Sequence, residues 1–382
     1  MKIALLSDCY APRLGGIEVQ VHDLATRLIG RGHDVVVLTA TPGTHGERGG
    51  FVDEVDGVAV HRLALKLPFE LPVNPLAAGL LRERLAEGGF DVAHVHMGVV
   101  SPFAVDCARV ANGMGLPTAM TWHCMLGSLE PVFRAARYVR RWASHGVAMS
   151  AVSAVAAAPL QRIVGVDSVV NVLSNGIDVD SWATPADQVP TRQPGGAIRV
   201  VSAMRLAARK RPIPLLRIMV RVRALVPAET VISLEILGEG PDRARLERFI
   251  AAHEMGDWVR LRGRVTREEV RATYAAADIY VAPAPLESFG IAALEARTVG
   301  LPVVGRWGSG LEEFVKDGLN GYLAADDEAM AGCLVRLVID DELRGSMASY
   351  NRSTPPEQSW DRILDGAEAE YRRAIALAGA LR

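Results

Sequence analysis

The stretch "DIYVAPAPLESFGIAALEARTVGLPVVG", residues 278–305, decides the fold. It opens on a β-branched and aromatic run, crosses a proline-bounded turn, continues as an apolar pattern of helical period up to Gly300, and closes on a second β-branched run. Strand, helix and strand joined this tightly make a parallel βαβ unit. The same alternation runs outward through the chain. "KIALLS", "DVVVLT", "VAVHRL", "DVAHVH", "PTAMTW", "GVAMSAVS" and "VVNVLSNG" read as strands in the first half, and the clearest helix between them sets Ile17, Val21, Leu24 and Leu28 on one face. After the polar, proline-rich "ATPADQVPTRQPGG" (183–196) the series restarts with "IRVVSAM", "VISLEILG" and "WVRLRGRV". A length of 382 residues suits two domains. The expectation is an α/β protein of two Rossmann-like, doubly wound domains, 1–185 and 186–356, with a tail read as a helix kinked near Pro355 and Pro356.

Doubly wound sheets bind ligands beyond the carboxyl ends of their strands, and two such sheets facing each other form a cleft. In the opening stretch, Ser288, Phe289, Gly290 and Ile291 fall in the first helical turn, where backbone N–H groups lack partners and the helix dipole favours an anion. Gly290 admits close approach to the backbone. Glu287 precedes the helix, and Glu295, about one and a half turns in, leans back toward its start. Two hydroxyl-accepting carboxylates around an anion site suit a nucleotide sugar. The same spacing also fits a helix-capping Glu287 and a solvated Glu295.

Arg205 and Lys210, in "SAMRLAARKRP", follow a strand and are spaced to neutralise a diphosphate; a solvated basic loop, the reading given to Arg209 and Arg211, is the alternative. Gly15–Gly16 follows the first strand at a helix start, and Gly238 in "LGEGP" repeats that arrangement, which tight-turn chemistry also explains. His94 and His96 are read as alternating along their strand, so that only one faces a given side. His123 ends "PTAMTWH" and is the better cleft candidate. "FRAARYVRRWASHG" places Arg134, Arg137 and Arg141 on one helical face beside Tyr138 and Trp142, a pattern for an anionic membrane surface or for plain solvent.

Composition narrows the classes. A net charge of -2 gives no whole-chain reason to expect nucleic acid. Four scattered cysteines without C-x-x-C spacing, and no H-E-x-x-H pattern, argue against a metal site or a disulfide framework and fit a reducing cytoplasm. The Asp326–Asp327 and Asp340–Asp341 pairs belong to helices. No apolar run approaches the length of a signal peptide core with its flanks or a spanning helix, so the expectation is a soluble chain, at most peripheral at the inner face of a membrane.

These pieces in this order resemble a retaining glycosyltransferase of the GT-B fold, from the large family that includes bacterial phosphatidylinositol mannosyltransferases and sucrose synthases. The resemblance covers nearly the whole chain: the Gly15–Gly16 loop, "DVAHVH", "TWH", "SNGID", "RLAARK", "LGEGP", "GRV" and above all "PLESFGIAALEA", which carries the E-x7-E pattern at Glu287 and Glu295. It implies that Glu295 holds ribose hydroxyls, that Arg205 and Lys210 hold the diphosphate, and that Glu287 with the Phe289, Gly290 and Ile291 amides holds sugar and phosphate. Arg264 and Val265 would meet the base through their backbone, Gly16 would lie beside the diphosphate and His123 beside the transferred sugar. The tail, 357–382, would cross back to the first domain. The implied activity moves a hexose, mannose from GDP-mannose or glucose from UDP-glucose, to a carbohydrate or lipid-linked acceptor in glycolipid or envelope synthesis. No metal and no cofactor beyond the nucleotide-sugar co-substrate is implied. Two other functions fit the same fold: a nucleotide-sugar 2-epimerase and a non-catalytic nucleotide-sugar-binding partner.

Overall fold

The computed structural model describes residues 1–13, 15–65, 74, 76–184 and 196–380. The chain divides into two compact units, Met1–Gly176 with Trp360–Arg382, and Ile177–Ser359.

The first unit is built on an eight-stranded sheet of β1 (Lys2–Ser7), β2 (Asp34–Thr39), β3 (Phe51–Val55), β4 (Val58–Arg62), β5 (Val92–Met97), β6 (Thr118–Trp122), β7 (Ala148–Ala151) and β8 (Val170–Val172), in the order β3-β4-β2-β1-β5-β6-β7-β8. All neighbours pair parallel except β3 with β4. Strands covered on both faces are mostly apolar, and β5, β6 and β7 are buried throughout, their polar residues His94, Thr121 and Ser150 hydrogen-bonding one another. Period two then sorts β1 between two cores. Ile3 and Leu5 join Val21, Leu24 and Leu28 of α1 (Gly16–Gly30). Ala4 and Leu6 join the opposite core, which is filled from α2 (Ala77–Gly88), α3 (Pro102–Gly113), α4 (Glu130–Ala136), α5 (Tyr138–Ser144) and α6 (Ala154–Val164).

The second unit carries α7 (Val179–Trp182) and a six-stranded parallel sheet of β9 (Ile198–Ala203), β10 (Ile232–Leu237), β11 (Val259–Gly263), β12 (Ile279–Val281), β13 (Val303–Arg306) and β14 (Gly321–Ala324), ordered β11-β10-β9-β12-β13-β14. Its connections are α8 (Pro212–Leu225), α9 (Arg243–Ala252), α10 (Arg267–Ala275) and α11 (Ile291–Val299), followed by α12 (Asp327–Ile339) and α13 (Asp341–Ser353). Asp326 and Asp340 are N-caps, accepting from the Ala329 and Leu343 N–H groups, so both acidic pairs are helix starts.

Three expectations change. The division falls at Gly176 rather than in 183–196, of which 185–195 lie outside the described residues. Gln20 exchanges two hydrogen bonds with the Gly176 backbone, at 2.9 and 3.0 Å, whereas Trp182 packs near Tyr274 in the second unit. The tail is broken near Pro355 and Pro356 as read, and the helix that follows them is α14 (Trp360–Ala380). α14 packs in the α1 core through Leu364, Tyr371 and Ala374. Phe51–Val55, absent from the strands read in the sequence, forms a hairpin with β4, turning at Asp56 (φ 50°) and Gly57 (φ 79°). The arginine-rich face is broken at Arg137 (φ 60°), which separates α4 from α5. Trp142 is 7% exposed and its ring packs on Tyr138, so the aromatics are core. Glu130 binds both Arg134 and Arg162, and the pairing holds its carboxyl down at about 2.

Candidate active site

The 278–305 stretch folds as read, and its turn is the centre of the site. Gly290 caps α11 in the left-handed region (φ 91°, ψ 55°) without any side-chain cap, so Glu287 is not the capping residue. The backbone N–H groups of Phe289, Gly290 and Ile291 are given to no acceptor among the described residues. Three donors at the positive end of a helix form an anion cradle. Phe289 serves it through its backbone alone, since its ring is buried against Phe314 at 5.6 Å.

Lys210 follows the β9 loop in a short 3-10 turn, and its ammonium pairs with Glu287, 77 residues away in sequence. The pair is partly buried, with side chains 23% and 18% exposed. Adjacency of β9 and β12 in the sheet brings the two together. Glu295 is half-buried one and a half turns into α11, and it and Glu287 both act on the phenol of Tyr280. Burial, chiefly, pushes that hydroxyl up, and the two carboxylates add to it, so both face one region. Arg205 is exposed, with no ion pair among the described residues. Arg211 departs from the solvated reading: it pairs with Asp327 at 2.7 Å, and Arg306 holds the other carboxylate oxygen at 2.8 Å.

Gly238 is structural as well as a site candidate. At φ 123°, a Cβ there would sit 2.1 Å from the Met204 carbonyl oxygen, and its N–H donates to Gly263 at 2.8 Å. That contact locks together the loops that follow β9, β10 and β11. Arg264 (exposed) and Val265 (half-buried) come directly after β11. Ser288 is half-buried and carries an interaction of its own.

In the first unit, Gly16 is exposed at the first position of α1. His94 and His96 correct the sequence reading: residues two apart on a strand share a face, and their rings lie 4.1 Å apart. His94 is structural, held by Tyr371 Oη at 3.0 Å and Thr121 Oγ1 at 2.8 Å. His96 Nδ1 lies 3.0 Å from His123 Nε2, and Asn175 also hydrogen-bonds His123. Burial lowers all three imidazoles, His94 to about 3 and His123 to about 4. His123 is therefore neutral near pH 7, a hydrogen-bonding group and not a cationic acid. Asn175 and the His96 contact were not picked out from the sequence as site groups; "SNGID" was the available signal. No three His, Cys, Asp or Glu residues gather into a metal-holding group among the described residues, and no described helix is long and apolar enough to cross a membrane.

Comparison with known proteins places both halves. Residues 14–181 match the model for Glycosyltransferase Family 4, and 184–354 match that for Glycosyl transferases group 1. Similar curated proteins include the D-inositol 3-phosphate glycosyltransferase of Pseudarthrobacter chlorophenolicus, 26% identical over 98% of this chain and 96% of that protein. Another is the phosphatidylinositol N-acetylglucosaminyltransferase GPI3 subunit of Saccharomyces cerevisiae, 25% identical over 84% of this chain and 71% of that protein. Among solved structures, Anabaena HepE in complex with UDP and glucose superposes with a TM-score of 0.74 at 17% identity, covering 97% of this chain and 98% of that one. The sucrose-phosphate synthase of Thermosynechococcus elongatus gives 0.77 at 19%, covering 98% and 99%. With matching family models over both units and this fold throughout, the chain belongs to the GT-B glycosyltransferases.

Proposed function

We propose that the protein transfers a hexosyl group from a nucleotide sugar to an acceptor hydroxyl, with retention at the anomeric carbon and without a metal. The observation that carries the donor assignment is the cradle of Phe289, Gly290 and Ile291 N–H groups beside the Lys210–Glu287 pair. A diphosphate takes those donors and offers Lys210 a second anion, while Glu287 and Glu295 accept from sugar and ribose hydroxyls. Arg205, exposed and with no ion pair among the described residues, is the further cation for the diphosphate, and Arg264 and Val265 meet the base. Gly16 keeps its expected role beside the diphosphate.

In this reading the leaving phosphate is the base that takes the acceptor proton as the glycosidic bond forms on the face that the phosphate leaves. The protein's share is positioning and stabilising the departing charge. His123, neutral, hydrogen-bonds a hydroxyl of the transferred sugar.

GDP-mannose and UDP-glucose are the donors proposed. The relatives' names add N-acetylglucosamine as a sugar to test, and inositol phosphate or phosphatidylinositol as acceptor. The test is donor turnover, by mass spectrometry and NMR, over a panel of GDP- and UDP-sugars with and without inositol phosphate or a mixed lipid extract, beside Glu295→Ala. Turnover of one donor to a new glycoside with the anomeric configuration kept, lost in the variant and unaffected by EDTA, is the expected result. An epimerised donor, or no turnover with any acceptor, overturns it.

A further inference from the structure

Trp307 is out of pattern. The chain has six tryptophans, and five are 9% exposed or less, while Trp307 is 50% exposed. Leu286, just before the anion cradle, is 59% exposed. Trp307 is the first residue after β13, in a turn fixed by Ser309 Oγ donating to the Arg306 carbonyl at 2.6 Å and by Gly308 at φ 72°. The turn is joined to the cradle loop: the Gly310 N–H donates to the Glu287 carbonyl at 2.7 Å, and the Gly310 Cα lies so close to the Ser288 carbonyl that a methyl there would sit 2.2 Å from its oxygen. A large apolar face is thus held open to solvent on a rigid mount next to the phosphate-binding donors.

Strand order gives this face a direction. Along the carboxyl edge of the sheet, Arg264 and Val265 follow β11, Arg205 and Lys210 follow β9, Glu287 to Gly290 follow β12, and Trp307 follows β13. From β11 to β13 is four strand spacings, or about 19 Å. A ligand with its base at β11 and its diphosphate at β9 and β12 reaches β13 with whatever its second phosphate carries. Pyranose rings have hydroxyls around the rim and C–H bonds on the faces, and such a face covers an exposed indole without desolvating a polar group.

We propose that Trp307 is the platform on which the pyranose ring of the donor sugar stacks, and so a determinant of which sugar is accepted. This rests on the nucleotide-sugar reading above. Because the other indoles are buried, iodide quenching of tryptophan emission reports Trp307. The experiment compares wild type, Trp307→Phe and Trp307→Ala with UDP-glucose, GDP-mannose, UDP and GDP, with calorimetry on the same samples.

The expected result is quenching in the wild type that is absent in both variants and is suppressed by a nucleotide sugar but not by its nucleoside diphosphate. Trp307→Ala weakens nucleotide-sugar binding about tenfold, in line with the contribution of one aromatic face, leaves the nucleoside diphosphate unchanged, and is largely rescued by Phe. Equal protection by the diphosphate alone refutes a sugar platform, as does binding by calorimetry with no protection. Calorimetry that finds no nucleotide-sugar binding at all overturns the transferase reading itself, and this inference with it.

Discussion

Gly310→Ala tests whether the placement of the 287–290 loop governs turnover. A Cβ at Gly310 would lie 2.2 Å from the Ser288 carbonyl oxygen, 2.4 Å from its carbon and 2.5 Å from Phe289 Cα. All three are backbone atoms, so no rotamer change relieves the contact. Ordinary contact begins near 3.4 Å, and the loop or the turn must therefore shift by about 1 Å. The donors of the cradle sit on the atoms that would move. A misplacement of that size costs about a hundredfold in rate, or ~2.7 kcal/mol of barrier. Overpacking alone costs ~1–3 kcal/mol of stability, a few degrees in melting temperature for a unit of this size. Initial rates of donor consumption at saturating acceptor, with thermal melts on the same preparations, measure both. Gly332→Ala is the control: it lies in α12 with no atom within 4 Å of the added methyl, and should gain up to ~1 kcal/mol of stability with turnover unchanged. A folded Gly310→Ala protein with turnover near wild type would refute the claim that this loop positions the donor.

Lys210→Ala should lower turnover by roughly 10²–10³ with the acceptor KM unchanged, because the ammonium acts on charge that develops at the leaving group; steady-state kinetics decide, and unchanged turnover removes Lys210 from that role. Stability of the first unit should fall on acidification from about pH 6.5 toward 5, followed by thermal melts. His94, His96 and His123 all sit below the ordinary value of 6.5 when folded, so in that window the unfolded chain binds protons that the folded chain refuses, at up to ~1.4 kcal/mol per pH unit for each group. Asp8, raised by burial to about 6, opposes this between 3.8 and 6 because the folded state keeps its proton, but it is outnumbered by these imidazoles, with which His61, also lowered by burial, acts. A midpoint that is flat or rises on acidification refutes the buried-imidazole account, and His96→Gln should flatten the acid loss.

Several features were legible in residue order because they are local. Alternation of β-branched runs with helical periodicity sets the α/β class, since each period depends on neighbours only a few residues apart. Gly290 and Glu295 could be placed on the start and face of α11 for the same reason. The Asp56–Gly57 hairpin is equally local, since Asp-Gly between alternating apolar residues is a turn signal. The period-two rule likewise already put His94 and His96 on one face.

Tertiary structure decided what depends on strand order, which no local pattern encodes. β9 and β12 are neighbours in the sheet, and only that brings Lys210 to Glu287. Parallel pairing of β5 with β6 carries His96 to His123, and burial then makes both imidazoles neutral. The same order sets Trp307 one strand beyond the anion cradle, and only packing could leave that indole exposed while it buried the other five. Sequence thus determined which elements form and which residues sit at their ends; the sheet determined which ends meet, because its hydrogen bonds join segments far apart along the chain.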